Sequence, residues 1–306
     1  MSNLAKALES ECQIVSGCNA LKRVISPKSR DLGGFTVKRI LPSVGMKSVG
    51  PWVFFDHMGP AEFAAGDGIN VRPHPHIGLA TVTYLFEGEI QHKDSLGTDV
   101  AVQPGDINLM VAGHGIVHSE RQLEKITKHP HSAHGLQLWL ALPQAHEQCE
   151  PSFHHYDSDN LPTVKFDGAR AKVLIGEAFG ERSPVKTFSE TLYVEVNLNE
   201  DISFELPKVE ELALYVVAGS LKIENFTLAD HHMAIFNEEQ GIKVTAQANT
   251  RFVLVGGASL GPRFMEWNFV ATDQALIDAA KQRWQQQEFP DVPGDAEEFT
   301  PLPESN

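Results

Sequence analysis

Two short segments of this 306-residue chain carry closely spaced metal-ligand types: Pro73-His74-Pro75-His76 and Gly115-Ile116-Val117-His118-Ser119-Glu120. Both sit in stretches that read as β-strand, where residues i and i+2 share one face. His74 with His76, and His118 with Glu120, are therefore placed to converge on one ion from two strands. Three imidazoles and one carboxylate make a mixed nitrogen and oxygen set that suits iron, manganese, nickel, copper or zinc and leaves positions for water or substrate. Such a set points to chemistry more than to a structural staple. A purely structural role for all four is disfavoured, because buried polar groups without a shared partner are costly.

The elements that must position these groups are strands. Gly34 to Leu41, Trp52 to Phe55, Ala80 to Phe86 and Ile107 to Val111 are short, β-branched or aromatic runs, followed by His134 to Leu142, Lys172 to Ile175, Leu192 to Leu198, Leu212 to Val217 and Arg251 to Val255. Strands at this spacing, cut by a supply of 24 Gly and 18 Pro, predict an all-β chain of sandwiches or barrels. Tyr84-Leu85-Phe86-Glu87-Gly88-Glu89-Ile90 is echoed 131 residues later by Tyr215-Val216-Val217-Ala218-Gly219-Ser220-Leu221. The same shift sends His74 to Glu205 and His76 to Pro207, so a duplicated second half would have lost the ligand pair. Ser152 to Gly168 reads as the connector. A short helix is expected near Asn3 to Glu11, and an amphipathic one over Asp273 to Trp284 with Thr272 as its N-cap. Beyond Pro290 runs an acidic, Pro-rich tail with little to pack.

Charge and cysteines narrow the classes further. A net charge of −15 repels a phosphate backbone, and the densest basic stretch, Lys22, Arg23, Lys28, Arg30, Lys38 and Arg39, is interrupted, so no direct nucleic-acid partner is expected. Cys12, Cys18 and Cys149 lack a zinc spacing, and neither a signal peptide nor a membrane span of about 20 apolar residues is visible. These features predict a soluble cytoplasmic protein with reduced thiols.

Eleven of the 14 histidines fall between His74 and His155. The specific signal is the arrangement Gly68-x5-His74-x-His76-x4-Thr81-x6-Gly88, then Pro104-Gly105-Asp106, then His118-x-Glu120. It closely resembles the first cupin motif with one departure: Ala80 or Thr81 stands where that motif has a glutamate, and Glu120 can supply the carboxylate instead. Phe54-Phe55-Asp56-His57-Met58-Gly59-Pro60, Arg72-Pro73-His74-Pro75-His76-Ile77-Gly78, Gly113-His114-Gly115-Ile116-Val117-His118-Ser119-Glu120 and His134-Gly135-Leu136-Gln137-Leu138-Trp139 all resemble segments of the pirin family, over roughly residues 34 to 260. The resemblance implies a bicupin. Its expected plan is an N-terminal segment (1–33), a metal-binding barrel (34–150), a connector (151–168), a barrel without ligands (169–265) and a terminal helix and tail (266–306). It further implies that His74, His76, His118 and Glu120 ligate one metal, usually iron. His57, His92 and His114 are candidates for orienting ligands or substrate from behind. His114 stands where relatives commonly carry Arg, which removes a permanent positive charge.

Two classes of function follow. Pirins resemble flavonol-cleaving dioxygenases, so the first is a metal-dependent dioxygenase of the quercetin 2,3-dioxygenase type that takes a flavonol or related enediol-like compound with O2, Glu120 acting as ligand and base. The second is an iron-containing, redox-sensing regulator that binds a protein partner, its acidic surface, helix and tail serving as docking elements. Isomerase or hydrolase chemistry on the same metal is a third.

Overall fold

The computed structural model describes residues 12–13, 18–237 and 241–304. Two large antiparallel sheets stand back to back, and each is closed on its outer side by a smaller four-stranded sheet. In the first barrel the large sheet runs, in spatial order, Ser152–Tyr156, Ile107–Val111, Leu79–Glu87, His131–Ala141, Trp52–Phe63, Thr36–Leu41 and Lys28–Asp31. Its partner sheet runs Asn70–His76, Ile116–Arg121, Ile90–Asp94 and Asp99–Val102. The second barrel repeats the plan, so the chain is all-β with two cupin-type domains. The echoing segments fall on Leu79–Glu87 and Glu211–Ala218, each flanked by two antiparallel neighbours inside its large sheet.

Strand alternation divides the labour of the first large sheet. Phe55, Val82, Leu136 and Leu138 face backwards and pack with Tyr193, Tyr215, Val253 and Val255 of the second barrel in one shared core. Each such side chain contributes on the order of 1.5–3 kcal/mol by leaving water. Trp52 joins them and donates its indole N–H to the Leu192 and Gly256 carbonyls, both at 3.1 Å. The forward face, with Phe54, Asp56, Thr83, Gln137 and Trp139, looks toward the histidine-bearing sheet. In the second barrel Phe204, Val216, Phe252 and Leu254 belong to an apolar core, and Glu205, the counterpart of His74, is exposed.

Several expectations need correction in detail. The expected connector is not a bare linker, because Ser152–Tyr156 pairs with Ile107–Val111 of the first barrel and Thr163–Phe166 with Ala169–Ile175 of the second. Leu21–Ile25, in the expected N-terminal segment, is a strand of the second barrel's sheet. The C-terminal helix spans Gln274–Gln285, and its cap is Asp273, whose side chain accepts from the Ala275 N–H at 2.9 Å; Thr272 instead donates its hydroxyl to Glu147 at 2.5 Å. The helix expected near Asn3 to Glu11 lies outside the described residues. No helix among those described is long and apolar enough to cross a membrane. Cys18 is buried, and burial pushes its thiol pKa up.

His57 lies on the backward face, where its Nδ1 meets the Tyr215 hydroxyl at 2.7 Å and its Nε2 meets His134 Nε2 at 2.7 Å. Burial, with His134 and Lys38 nearby, lowers the His57 pKa to about 2; burial and Arg251 lower that of His134 to about 4. One ring must donate and the other accept, so protonating both sets donor against donor. The unfolded chain takes these protons near the ordinary value of 6.5 while the folded chain refuses them, so stability falls as pH drops below 6.5. The melting temperature of the metal-loaded protein should decline from pH 6.5 toward 4. A His57→Gln, His134→Gln protein, which keeps a donor and an acceptor but no titration, should show a shallower decline; identical slopes would refute the assignment.

Candidate metal centre

The register of two paired strands assembles the site. His118 lies directly opposite His74, and Ile116 opposite His76, so the side chains of His74, His76 and His118 all leave the same face of the Asn70–His76 and Ile116–Arg121 pair. Past His118 the register slips, with Glu120 opposite Val71, and the extra residue falls on the Arg72-Pro73 side. A bulge there suits a proline, which has no N–H for the ladder. The three imidazoles are 3%, 1% and 1% exposed, with ring centroids 4.4 to 5.0 Å apart, and their candidate ligand atoms lie within 4.8 Å of one another.

Hydrogen bonds fix which nitrogen is available. His74 Nδ1 donates to the Arg72 carbonyl at 2.9 Å and His76 Nδ1 to the Asn268 carbonyl at 3.0 Å. A carbonyl only accepts, so each Nδ1 carries the proton and each Nε2 keeps its lone pair. His118 has no hydrogen-bond partner on either ring nitrogen, an orphaned state that normally costs about 1–3 kcal/mol. Burial is the main cause holding all three pKa values down, to about 3 for His74 and well below the ordinary value for His76 and His118. Neutral imidazoles with inward lone pairs and one unsatisfied ring are the donor set that a divalent transition metal completes.

Glu120 shares the face but does not join the group of three. Its carboxylate accepts from the Thr83 hydroxyl at 3.3 Å, and that hydroxyl also reaches Gln137 Oε1 at 2.9 Å. Burial raises its pKa, opposed by the nearby His92. Of the three histidines expected behind the ligands, His92 lies beside the trio. Its ring centroid is 5.2 Å from that of His118, it stacks on Phe153, and its Nε2 is 3.1 Å from Asp94 Oδ2. His57 and His114 do not lie there. Alternation turns His57 to the inter-barrel core, and His114 stands half-exposed on a loop with its Nε2 3.2 Å from Glu150.

Residues absent from the expected set build the rest of the cavity. Phe54 and Trp139 stack at 4.0 Å with an 11° tilt, and the Trp139 ring meets His76 edge-on at 5.0 Å. Behind them the buried Arg39 guanidinium lies 4.4 Å over Phe54 and donates to both oxygens of Asp56, at 2.8 and 2.6 Å. Asn268 belongs to the C-terminal segment, which passes over the back of the site. Thr300 N–H donates to the Pro73 carbonyl at 2.8 Å, and Arg121 pairs with Asp295 at 2.7 Å. Gly78 admits this segment: a Cβ there would meet the Val270 carbonyl oxygen at 1.9 Å. A second group, Asp106, His155 and Asp157, could in principle hold an ion, but the Asp106 oxygens accept from the Gln103 and Ser158 N–H groups.

Comparison with known proteins follows the same two-barrel division. A family model described as pirin matches residues 34–140, and one described as the pirin C-terminal cupin domain matches residues 192–290. The chain belongs to the pirin family. A pirin-like protein of Caulobacter vibrioides is 42% identical over 287 residues, covering 92% of this chain and 99% of the relative. A Pseudomonas aeruginosa protein whose name proposes quercetin 2,3-dioxygenase activity is 36% identical over 87% of this chain and 84% of its own. The crystal structure of quercetin 2,3-dioxygenase from Acinetobacter baumannii superposes with a TM-score of 0.86 at 32% identity, covering 92% of this chain and 95% of that one.

Elemental analysis of chelator-free protein should find close to one transition metal per chain in the wild type and in His57→Ala and His114→Ala, and a near-complete loss in His74→Ala and His118→Ala. Equal metal content in all five proteins would place the ion elsewhere.

Proposed function

We propose that this pirin is a metal-dependent dioxygenase of the quercetin 2,3-dioxygenase type, acting on a flavonol or a related enediol-like compound with O2. The observation that carries the reading is the trio of buried, neutral imidazoles beside a carboxylate on one aromatic-walled cavity. His74, His76 and His118, with Glu120 turned in as a fourth donor, would hold a divalent metal. Fe(II) is the first choice by family resemblance, and manganese, nickel, copper and zinc suit the same donors. When bound, the metal supplies a place where an oxidisable substrate oxygen and O2 meet.

This chain's residues do the rest. Glu120 takes the proton of the substrate's enolic hydroxyl, with Thr83 and Gln137 setting the carboxylate's direction. The stacked Phe54 and Trp139 rings give a flat aromatic substrate a stiff wall. The cavity is narrow at about 40 Å³, room for a few water-sized groups, so a flavonol enters only when a wall moves. Leu32 and Phe35 line it from a turn whose Gly33 and Gly34 sit at φ +83° and +108° with no neighbour within 4 Å of a Cβ position. The helix and tail that a regulatory role would use for docking are engaged with the first barrel through Ile277, Phe289 and Val292, which favours the enzymatic reading.

Quercetin added anaerobically to the metal-loaded protein should shift the flavonol absorbance, and oxygen should then bleach it. Glu120→Gln, with its metal content verified, should slow bleaching by roughly 10²–10⁴-fold. An unchanged flavonol spectrum over a fully loaded sample would remove the reading.

A further inference from the structure

A second cavity of about 580 Å³ opens at the seam between the barrels. Its walls are the end of Leu79–Glu87, the turn at Gly105, the connector around Ser158, and strands Ala169–Ile175, Thr191–Leu198 and Thr250–Gly257 of the second barrel. On a chain of net charge −15 this cleft gathers Arg170, Lys172 and Arg251 against only two acids, Glu195 and Asp159.

Glu195 is already engaged. Its Oε2 accepts from the Tyr84 hydroxyl at 2.6 Å, and its Oε1 accepts from Asn197 at 2.9 Å and lies 3.4 Å from Arg251 Nε. Arg251 thus shares Glu195, whereas Lys172 and Arg170 have no carboxylate within ion-pair distance among the described residues. Lys172 is 9% exposed, and its ammonium donates to the Gly105 carbonyl at 3.2 Å and to the Ser158 hydroxyl, neither of which carries charge. Arg251 Nε donates to Asn197 at 2.8 Å, while its guanidinium lies over Phe86 at 4.8 Å. Arg170 stands exposed at the lip and makes no ion pair among the described residues. Glu195, Asp106 and Asp159 lie near the Lys172 ammonium, but none is within ion-pair distance of it among the described residues, and a bound oxyanion would supply the direct contact. Guanidinium groups add paired N–H donors matched to carboxylate and phosphate. The cleft is larger than a bare ion needs and falls in the roughly 300–1,000 Å³ range of small-molecule sites.

We propose that this inter-barrel cleft binds a small organic oxyanion, a phosphate- or carboxylate-bearing metabolite, through Lys172, Arg170 and Arg251. The site is separate from the histidine centre and shares only the Leu79–Glu87 strand with it, through Tyr84 on one face and Thr83 on the other.

The test is calorimetric titration of the metal-loaded full chain with inorganic phosphate and, separately, with citrate, at ionic strength fixed by sodium chloride. Saturable one-to-one binding of either is expected; phosphate alone assigns phosphate chemistry, and citrate alone assigns carboxylate chemistry. Arg170→Ala, on an exposed position that should not disturb folding, should weaken binding about tenfold. Lys172→Met should weaken it further, and His74→Ala should leave it unchanged. No saturable binding of either probe, binding that survives both cleft substitutions, or binding lost in His74→Ala would each overturn the proposal.

Discussion

Three imidazoles stripped of water and packed ring against ring cannot share protons, and one of them, His118, finds no hydrogen-bond partner at all. Burial disfavours their charged forms, so the inward nitrogens carry lone pairs that point at one another's space. A shared cation would relieve that arrangement without rebuilding the barrel. The carbonyls of Arg72 and Asn268 hold two of the rings in the tautomer that a metal needs, and the strand register brings the third ring opposite His74.

The same constraint explains why the C-terminal segment crosses back to the first barrel. Asn268 supplies the acceptor for His76, and Thr300 ties the tail to Pro73, the residue between Arg72 and His74. Trp284 N–H then donates to the Thr300 carbonyl at 3.0 Å, and Phe289 and Val292 close an apolar layer behind the metal strands. The tail thus supports the histidine strands, although none of its described residues lines the cavity. The large sheet carries a double duty of a different kind: alternate residues build the inter-barrel core and the cavity wall, so the second barrel stiffens the floor on which Thr83, Gln137 and Trp139 stand.

Much of this could be read from residue spacing. His74-x-His76 and His118-x-Glu120 share a face because strands have a period of two, and the echo of Tyr84 at Tyr215 located matching strands of the two barrels. Alternation along Phe54, Asp56 and Met58 would also have turned His57 away from the site, a signal that lay in the sequence but needed the cavity face to be known. His114 could not be placed, since its loop geometry depends on Gly113 and Gly115 at positive φ. Asn268 was invisible for another reason. It acts through its backbone carbonyl, 192 residues from His76, and any residue type could do that. The capping role fell to Asp273 rather than Thr272 because the buried Glu147 carboxylate claims the threonine.

The central claim is that His74, His76 and His118 are simultaneous ligands of one ion. X-ray absorption at the metal edge of the loaded protein tests it most directly. The account predicts a nitrogen and oxygen shell with the multiple-scattering pattern of three imidazoles and no sulfur. A spectrum fitted by one imidazole or none, or by a sulfur ligand, would contradict it.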